Sequence, residues 1–153
     1  MDAIDKKILS AIQPNATLPL SELSKKVGIS TTPCWNRIKK MEEEKIISGR
    51  ITLLAKERIK LPITIFLSIS VSHHAPDWSN KFKLIIQKYE QIIEVHRLTG
   101  SGADYILKIV ATSIEDYDQF QQKLINEITF SHMSSSISLH EMKQTYLLPI
   151  DQI

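Results

Sequence analysis

The chain has 153 residues, 42% of them hydrophobic, and a mean hydropathy of −0.10. These are values of one soluble globular domain or two small ones, not of a disordered or membrane-embedded chain. Its net charge of +2 is unevenly spread: residues 1–60 hold twelve Lys/Arg against seven Asp/Glu, the remainder seven against ten. A basic front half on an acidic back half suits a polyanionic partner for the front. No apolar run approaches the ~20 residues of a membrane helix. The start, Met1-Asp2-Ala3-Ile4-Asp5-Lys6-Lys7, lacks a signal-peptide pattern, and the single cysteine, Cys34, cannot form an internal disulfide. Both point to the cytoplasm.

Three short helical patterns open the chain. Ile4, Ile8, Leu9 and Ile12 recur at helical spacing, and Pro14-Asn15 ends the run. A second helix begins near Pro19, turns Leu20, Leu23 and Val27 inward, and closes on Gly28, with Ile29 anchoring the turn. A third starts at Ser30, Thr31 and Thr32, with Pro33 suited to the first helical position. Cys34, Trp35, Ile38, Met41 and Lys45 fall on one side of its wheel; Thr32, Pro33, Asn36, Arg37, Lys39, Lys40 and Glu43 take the other. Two short helices joined by a glycine turn, the second basic outside, describe a helix-turn-helix.

In a major groove, Asn36 suits adenine and Arg37 suits guanine. Thr31 and Thr32 suit a phosphate or a thymine methyl, and Lys39 and Lys40 suit phosphates. A plain three-helix core with a solvated basic face fits the same pattern. Trp35, on the apolar side, is expected in the core rather than stacked on a base. Cys34 has no histidine near it in sequence to activate it, so it reads as a small buried hydrophobe.

The run Glu22-Leu23-Ser24-Lys25-Lys26-Val27-Gly28-Ile29-Ser30-Thr31-Thr32-Pro33-Cys34 resembles the signature of the Lrp/AsnC (leucine-responsive/asparagine-responsive, feast/famine) regulators. Ile4-Asp5-Lys6-Lys7-Ile8-Leu9 and Arg37-Ile38-Lys39-Lys40-Met41-Glu42 continue the likeness. Residues 46–54 are similar to the short strand leading out of that family's DNA-binding domain. The resemblance implies double-stranded DNA as partner and a winged-helix-like fold for residues 1–61, including a charged connector.

From Pro62 the period changes. Ile63, Ile65, Leu67, Ile69 and Val71 alternate with polar residues and Phe66 as a strand with one buried face. Ala75-Pro76-Asp77 starts a helix with the stripe Trp78, Phe82, Ile85, Ile86 and Tyr89, and His73-His74 before it reads as a wet loop. Strands near 92–99 and 104–111 flank the turn Gly100-Ser101-Gly102-Ala103. Ser113 with Asp116 caps a helix carrying Tyr117, Phe120, Leu124 and Ile128. An alternating stretch, 135–148, completes βαββαβ, the order of a ferredoxin-like sandwich over residues 62–153, making the whole chain α+β.

Glycines at 100 and 102 let a ligand approach main-chain amides, Asp104 can pair with an ammonium group, and Ser136 and Ser138 can add hydrogen bonds if the last strand lies beside the turn. The same residues equally make a plain hairpin capped by Asp104. The segment from Thr99 to Lys108 resembles the Gly-x-x-Asp-Tyr element at the family's effector site, which implies Gly100, Gly102, Asp104 and Tyr105 as effector-binding residues and an amino acid as effector. The long alternating strands with apolar rows suit sheet or edge pairing, so a homodimer formed by the C-terminal sheets and further assembled to tetramers or octamers is expected, its two recognition helices reading a pseudo-palindromic site.

Two other readings compete. Ferredoxin-like domains also host catalysis, but the chain has no nucleophile with an obvious base, no Walker loop and no dinucleotide fingerprint, and its histidines lack zinc-ligand spacing. No enzyme, cofactor or metal is therefore expected. The alternative within DNA binding is an architectural, chromatin-like protein needing no effector.

Overall fold

The computed structural model describes residues 1–72, 75–100 and 102–153; His73, His74 and Ser101, assigned above to a wet loop and a turn, lie outside them. The chain forms two compact units, Met1–Leu53 together with Met142–Ile153, and Leu54–Glu141.

In the first unit, Asp2 starts α1 (Ala3–Ile12) with a capping box, its Oδ1 accepting the N–H groups of Ile4 and Asp5 at 2.9 Å each. Pro19 precedes α2 (Leu20–Val27) as N-cap rather than first helical residue, and Gly28 ends it left-handed at φ 82°. The α3 helix (Thr31–Glu43) holds Pro33 at its third residue, still within the turn whose N–H groups need no helical partner. Ile8, Leu9, Ala11, Leu23, Val27, Cys34 and Met41 make one buried core.

Residues 46–54, expected as a short strand, are irregular, and Ile51 stays 74% exposed. A strand needs a neighbouring strand for its main-chain groups, and among the described residues no strand pairs with this segment, whose Ile47 N–H turns back to the Met41 carbonyl at 3.0 Å.

The chain's end belongs to this unit rather than to the sheet. Ile150, in a 3₁₀ turn (Ile150–Gln152), packs on the first core. The Gln13 carboxamide holds both main-chain groups of Leu148, accepting from N–H at 2.7 Å and donating to C=O at 3.1 Å. The boundary expected at 61/62, with everything after it in one domain, therefore differs from these units at both ends.

The second unit is α+β, in the order β1 (Ile63–Ser70), α4 (Pro76–Lys88), β2 (Ile92–Arg97), β3 (Tyr105–Ala111), α5 (Ile114–Glu127) and β4 (His132–Ile137). The sheet is antiparallel in its order β2-β3-β1-β4. Ile65, Leu67, Ile69, Leu107 and Ile109 bury one sheet face in a single core with Phe82 and Ile85 of α4 and Tyr117, Phe120 and Leu124 of α5. Ser113 caps α5 by accepting the Asp116 N–H at 3.1 Å.

The last strand, expected over 135–148, stops at Ile137. Its register on β1 explains the stop: Ile137 faces Ile65, Ser138 donates its N–H to the Thr64 carbonyl at 2.9 Å, and the next hydrogen-bonding place in that register would fall on Pro62, which has no N–H to offer.

Leu67 is fully buried. Leu67→Ala should cost about 2–5 kcal/mol in urea unfolding, the span for emptying a well-packed leucine site. A cost under about 1 kcal/mol would mean that the sheet core is loosely filled.

Candidate nucleic-acid interface and effector turn

Local geometry gives α3 its outward face. The Gly28 N–H and the Ile29 N–H both bond the Ser24 carbonyl, at 2.9 and 3.1 Å, so the chain reverses tightly and half-buried Ile29 pins the turn. Cys34 and Met41 then sink into the core, leaving Thr31, Thr32, Pro33, Asn36, Lys39, Lys40 and Glu43 exposed. Lys40 lies 3.7 Å from Glu44 and Arg50 lies 2.8 Å from Glu42, pairs exposed enough to contribute little.

Trp35 corrects the sequence reading. It is 49% exposed, with the Lys39 ammonium 5.1 Å from its ring centroid. At one residue beyond Cys34 it stands on the rim of the buried stripe, about 100° round the helix from the residue that enters the core. It borders a groove of about 430 Å³ that Leu18, Leu20 and Ile38 also line.

Arg37 is placed differently from Asn36 and the lysines. Its Nη1 lies 2.7 Å from Asp2 Oδ2 and 2.7 Å from Asp5 Oδ1. Asp2 is held down to about 2 by the Asp5 N–H first and by Arg37 next. The same two acids raise the guanidinium's affinity for its proton. Asp2 and Asp5 carried no functional assignment in the sequence; only their helical-start position, one turn apart, hinted at a joint role.

In the second unit, Gly100 adopts φ 116°, a conformation that disfavours any side chain, and a Cβ at Gly102 would meet nothing within 4 Å. Asp104 follows at the mouth of β3. Its N–H donates to the Ile69 carbonyl at 2.9 Å, its carbonyl accepts the Leu98 N–H at 2.8 Å, and its Oδ2 accepts the Val71 N–H at 2.8 Å. The carboxylate thus ties the turn to the end of β1. Tyr105 is half-buried in an aromatic group, its ring 5.0 Å from Phe82 and 5.7 Å from Trp78.

The two serines are elsewhere. Ser136 faces Phe66, and Ser138 bonds Thr64, on the opposite side of β1 from β3. Phe66 and Ile69 lie three steps apart along the strand, about 10 Å, so one chain does not bring these hydroxyls to the Asp104 turn. Ser135, which precedes them, points the other way and shares a 2.6 Å hydrogen bond with the Tyr117 hydroxyl.

On the sheet face away from α4 and α5, Lys56 of the connector donates to the hydroxyl of buried Thr64 at 2.8 Å. Phe66, Ile106 and Val110 lie on the same face beside Lys108, which bonds Glu94 at 3.0 Å. Among the described residues no helix is long and apolar enough to cross a membrane.

Comparison with known proteins finds two family models: an AsnC-type helix-turn-helix domain over residues 1–42 and an Lrp/AsnC ligand binding domain over residues 64–148. A glutamate uptake regulatory protein of Zymomonas mobilis is 37% identical, the match covering 99% of this chain and 92% of that protein. The DNA-binding transcriptional activator DecR of Escherichia coli is 33% identical over 99% of each. Among solved structures, an AsnC family transcriptional regulator from Agrobacterium tumefaciens superposes with a TM-score of 0.94 at 37% identity, covering 100% of this chain and 99% of that one. A transcriptional regulator from Neisseria meningitidis in complex with L-Met gives 0.93 at 30% identity, covering 99% and 98%.

Burial pushes the Cys34 thiol up, away from the reactive thiolate. A thiol reagent at about pH 8 should leave the folded protein unlabelled and label Cys34 once urea unfolds it. Rapid labelling of folded protein would contradict this placement.

Proposed function

The chain belongs to the Lrp/AsnC family of transcriptional regulators, with both its helix-turn-helix and its ligand-binding domain, and from that premise we propose a sequence-specific, cytoplasmic DNA-binding regulator that answers to an amino acid. The observation carrying the DNA half is the outer face of α3, where Thr32, Asn36, Lys39 and Lys40 lie open to solvent while Cys34 and Met41 are buried. Asn36 reads a base edge, adenine being its geometric match. Thr31 and Thr32 meet the backbone or a thymine methyl at the helix start, and Lys39 and Lys40 neutralise phosphates.

The effector half rests on the turn at residues 100–105. Its glycines open main-chain amides to a carboxylate, and Asp104 supplies a negative charge for an ammonium group. An amino acid carries both groups. The L-Met bound to the Neisseria neighbour and the name of the Zymomonas relative support that class of ligand.

The sheet face bearing Phe66, Ile106 and Val110 is suited to a second copy. A dimer, and tetramers or octamers built from it, would let Ser136 and Ser138 of another copy approach the turn. Two α3 helices on a two-fold axis read a pseudo-palindrome. The effector shifts assembly and DNA affinity together, by a coupling of about 1–3 kcal/mol.

Titrating the protein against duplex DNA at several salt concentrations tests the first half. Lys40→Ala should weaken binding to every sequence and reduce the salt slope by about one; an unaltered slope removes Lys40 from the phosphate contacts. A thermal-shift screen with the twenty amino acids tests the second. A stabilising ligand should lose its effect in Asp104→Asn, which keeps an acceptor for the Val71 N–H and removes the charge. Full response in that variant excludes the ammonium contact, and no response to any amino acid in the native chain favours the architectural alternative.

A further inference from the structure

Arg37 has the side chain best suited to read guanine on α3, yet its geometry points inward. The Nη1 atom alone bridges two carboxylates from the first turn of α1, at 2.7 Å each. Those carboxylates are fully engaged with one another's backbone: Asp2 Oδ1 takes the N–H groups of Ile4 and Asp5, and Asp5 Oδ2 takes the Asp2 N–H at 2.8 Å. Arg37 therefore completes a closed ring of charge-assisted bonds around the start of α1. Its side chain is 35% exposed, that of Asp5 14% and that of Asp2 55%, so the Asp5 contact is the shielded one of the two.

Turning Arg37 toward a base would break both bonds and leave two uncompensated acids next to a polyanion. Its neighbours on α3, Asn36 and Lys40, line with Asp2, Asp5 and Arg37 one cleft of about 600 Å³. A tilt of α3 away from α1 would move those neighbours directly.

We propose that Arg37 is a positioning residue: it fixes the attitude of α3 by bracing it to the capping turn of α1, so that Asp2 and Asp5 set sequence discrimination through α3 rather than Arg37 through a base. This rests on α3 being the DNA-reading helix. The brace predicts an effect opposite to simple charge. Removing an acid beside a DNA-binding helix ordinarily strengthens binding to any duplex, whereas loss of the brace weakens binding to the preferred one.

The test uses a duplex selected by the native full-length protein from a random-sequence pool, and a scrambled duplex of equal length. Asp5→Asn and Arg37→Ala should each lower affinity for the selected duplex about tenfold, leave the scrambled duplex within about twofold, and lose no more when combined. The lost preference should be spread over the half-site, because the whole helix moves. Arg37→Lys should retain most of it, since a single nitrogen makes both contacts. A base-reading arginine gives another pattern: loss at one base pair, no harm from Asp5→Asn, and additive losses. That pattern overturns the proposal.

Should the native protein select no duplex, the DNA reading fails by itself. The brace is then judged by thermal unfolding, where Asp5→Asn and Arg37→Ala should lower the midpoint by about 2–4 °C each and non-additively. Strict additivity there overturns it as well.

Discussion

The burial of Cys34 and Met41 in one core with Ile8 and Leu23 gives the third helix an inside and an outside. A helix of thirteen residues is marginal on its own, and α3 carries Lys39 and Lys40 on its exposed side. What holds it is the apolar stripe on its other side and the left-handed Gly28 that aims it there. Everything assigned to its outer face follows from that anchoring. The exposed lysines and Asn36 keep their hydration, so a duplex can displace water from them without any prior cost of unfolding.

The second unit works under a different constraint. Four antiparallel strands bury one face in a single core with both helices, while on the opposite face the connector reaches Thr64 through Lys56. That face mixes Phe66, Ile106 and Val110 with the Lys108–Glu94 pair, a composition closer to an interface than to a solvated sheet surface. At one end of the same sheet, Asp104 locks the β3 mouth to β1 through Val71. A carboxylate so placed is fixed by the fold itself, through a main-chain donor across the end of the sheet.

Much of this was legible in the residue order because period and caps are local. The alternation from Ile63, the stripe Trp78-Phe82-Ile85 and the Ser113 cap all became elements at the expected places, and Gly28 closed α2 as a glycine should. The strand expected over 135–148 failed for a non-local reason, since its length depends on where β1 runs out at Pro62. Residues 46–54 failed likewise, lacking a neighbouring strand. Trp35 was misplaced because a wheel gives direction but not the depth of the core behind it.

The sequence by itself determined the class of each helix and strand, the polar face of α3 and the family likeness, all of which are written in neighbouring residues. Tertiary structure alone decided which charges meet: Arg37 found Asp2 and Asp5 more than thirty residues away, Gln13 found Leu148, and Ser136 was carried away from Asp104. Ion pairs and strand neighbours depend on distances in space, and a side chain's reach is only a few ångströms. A list of residue types, however suggestive, leaves open which of several partners will arrive within it.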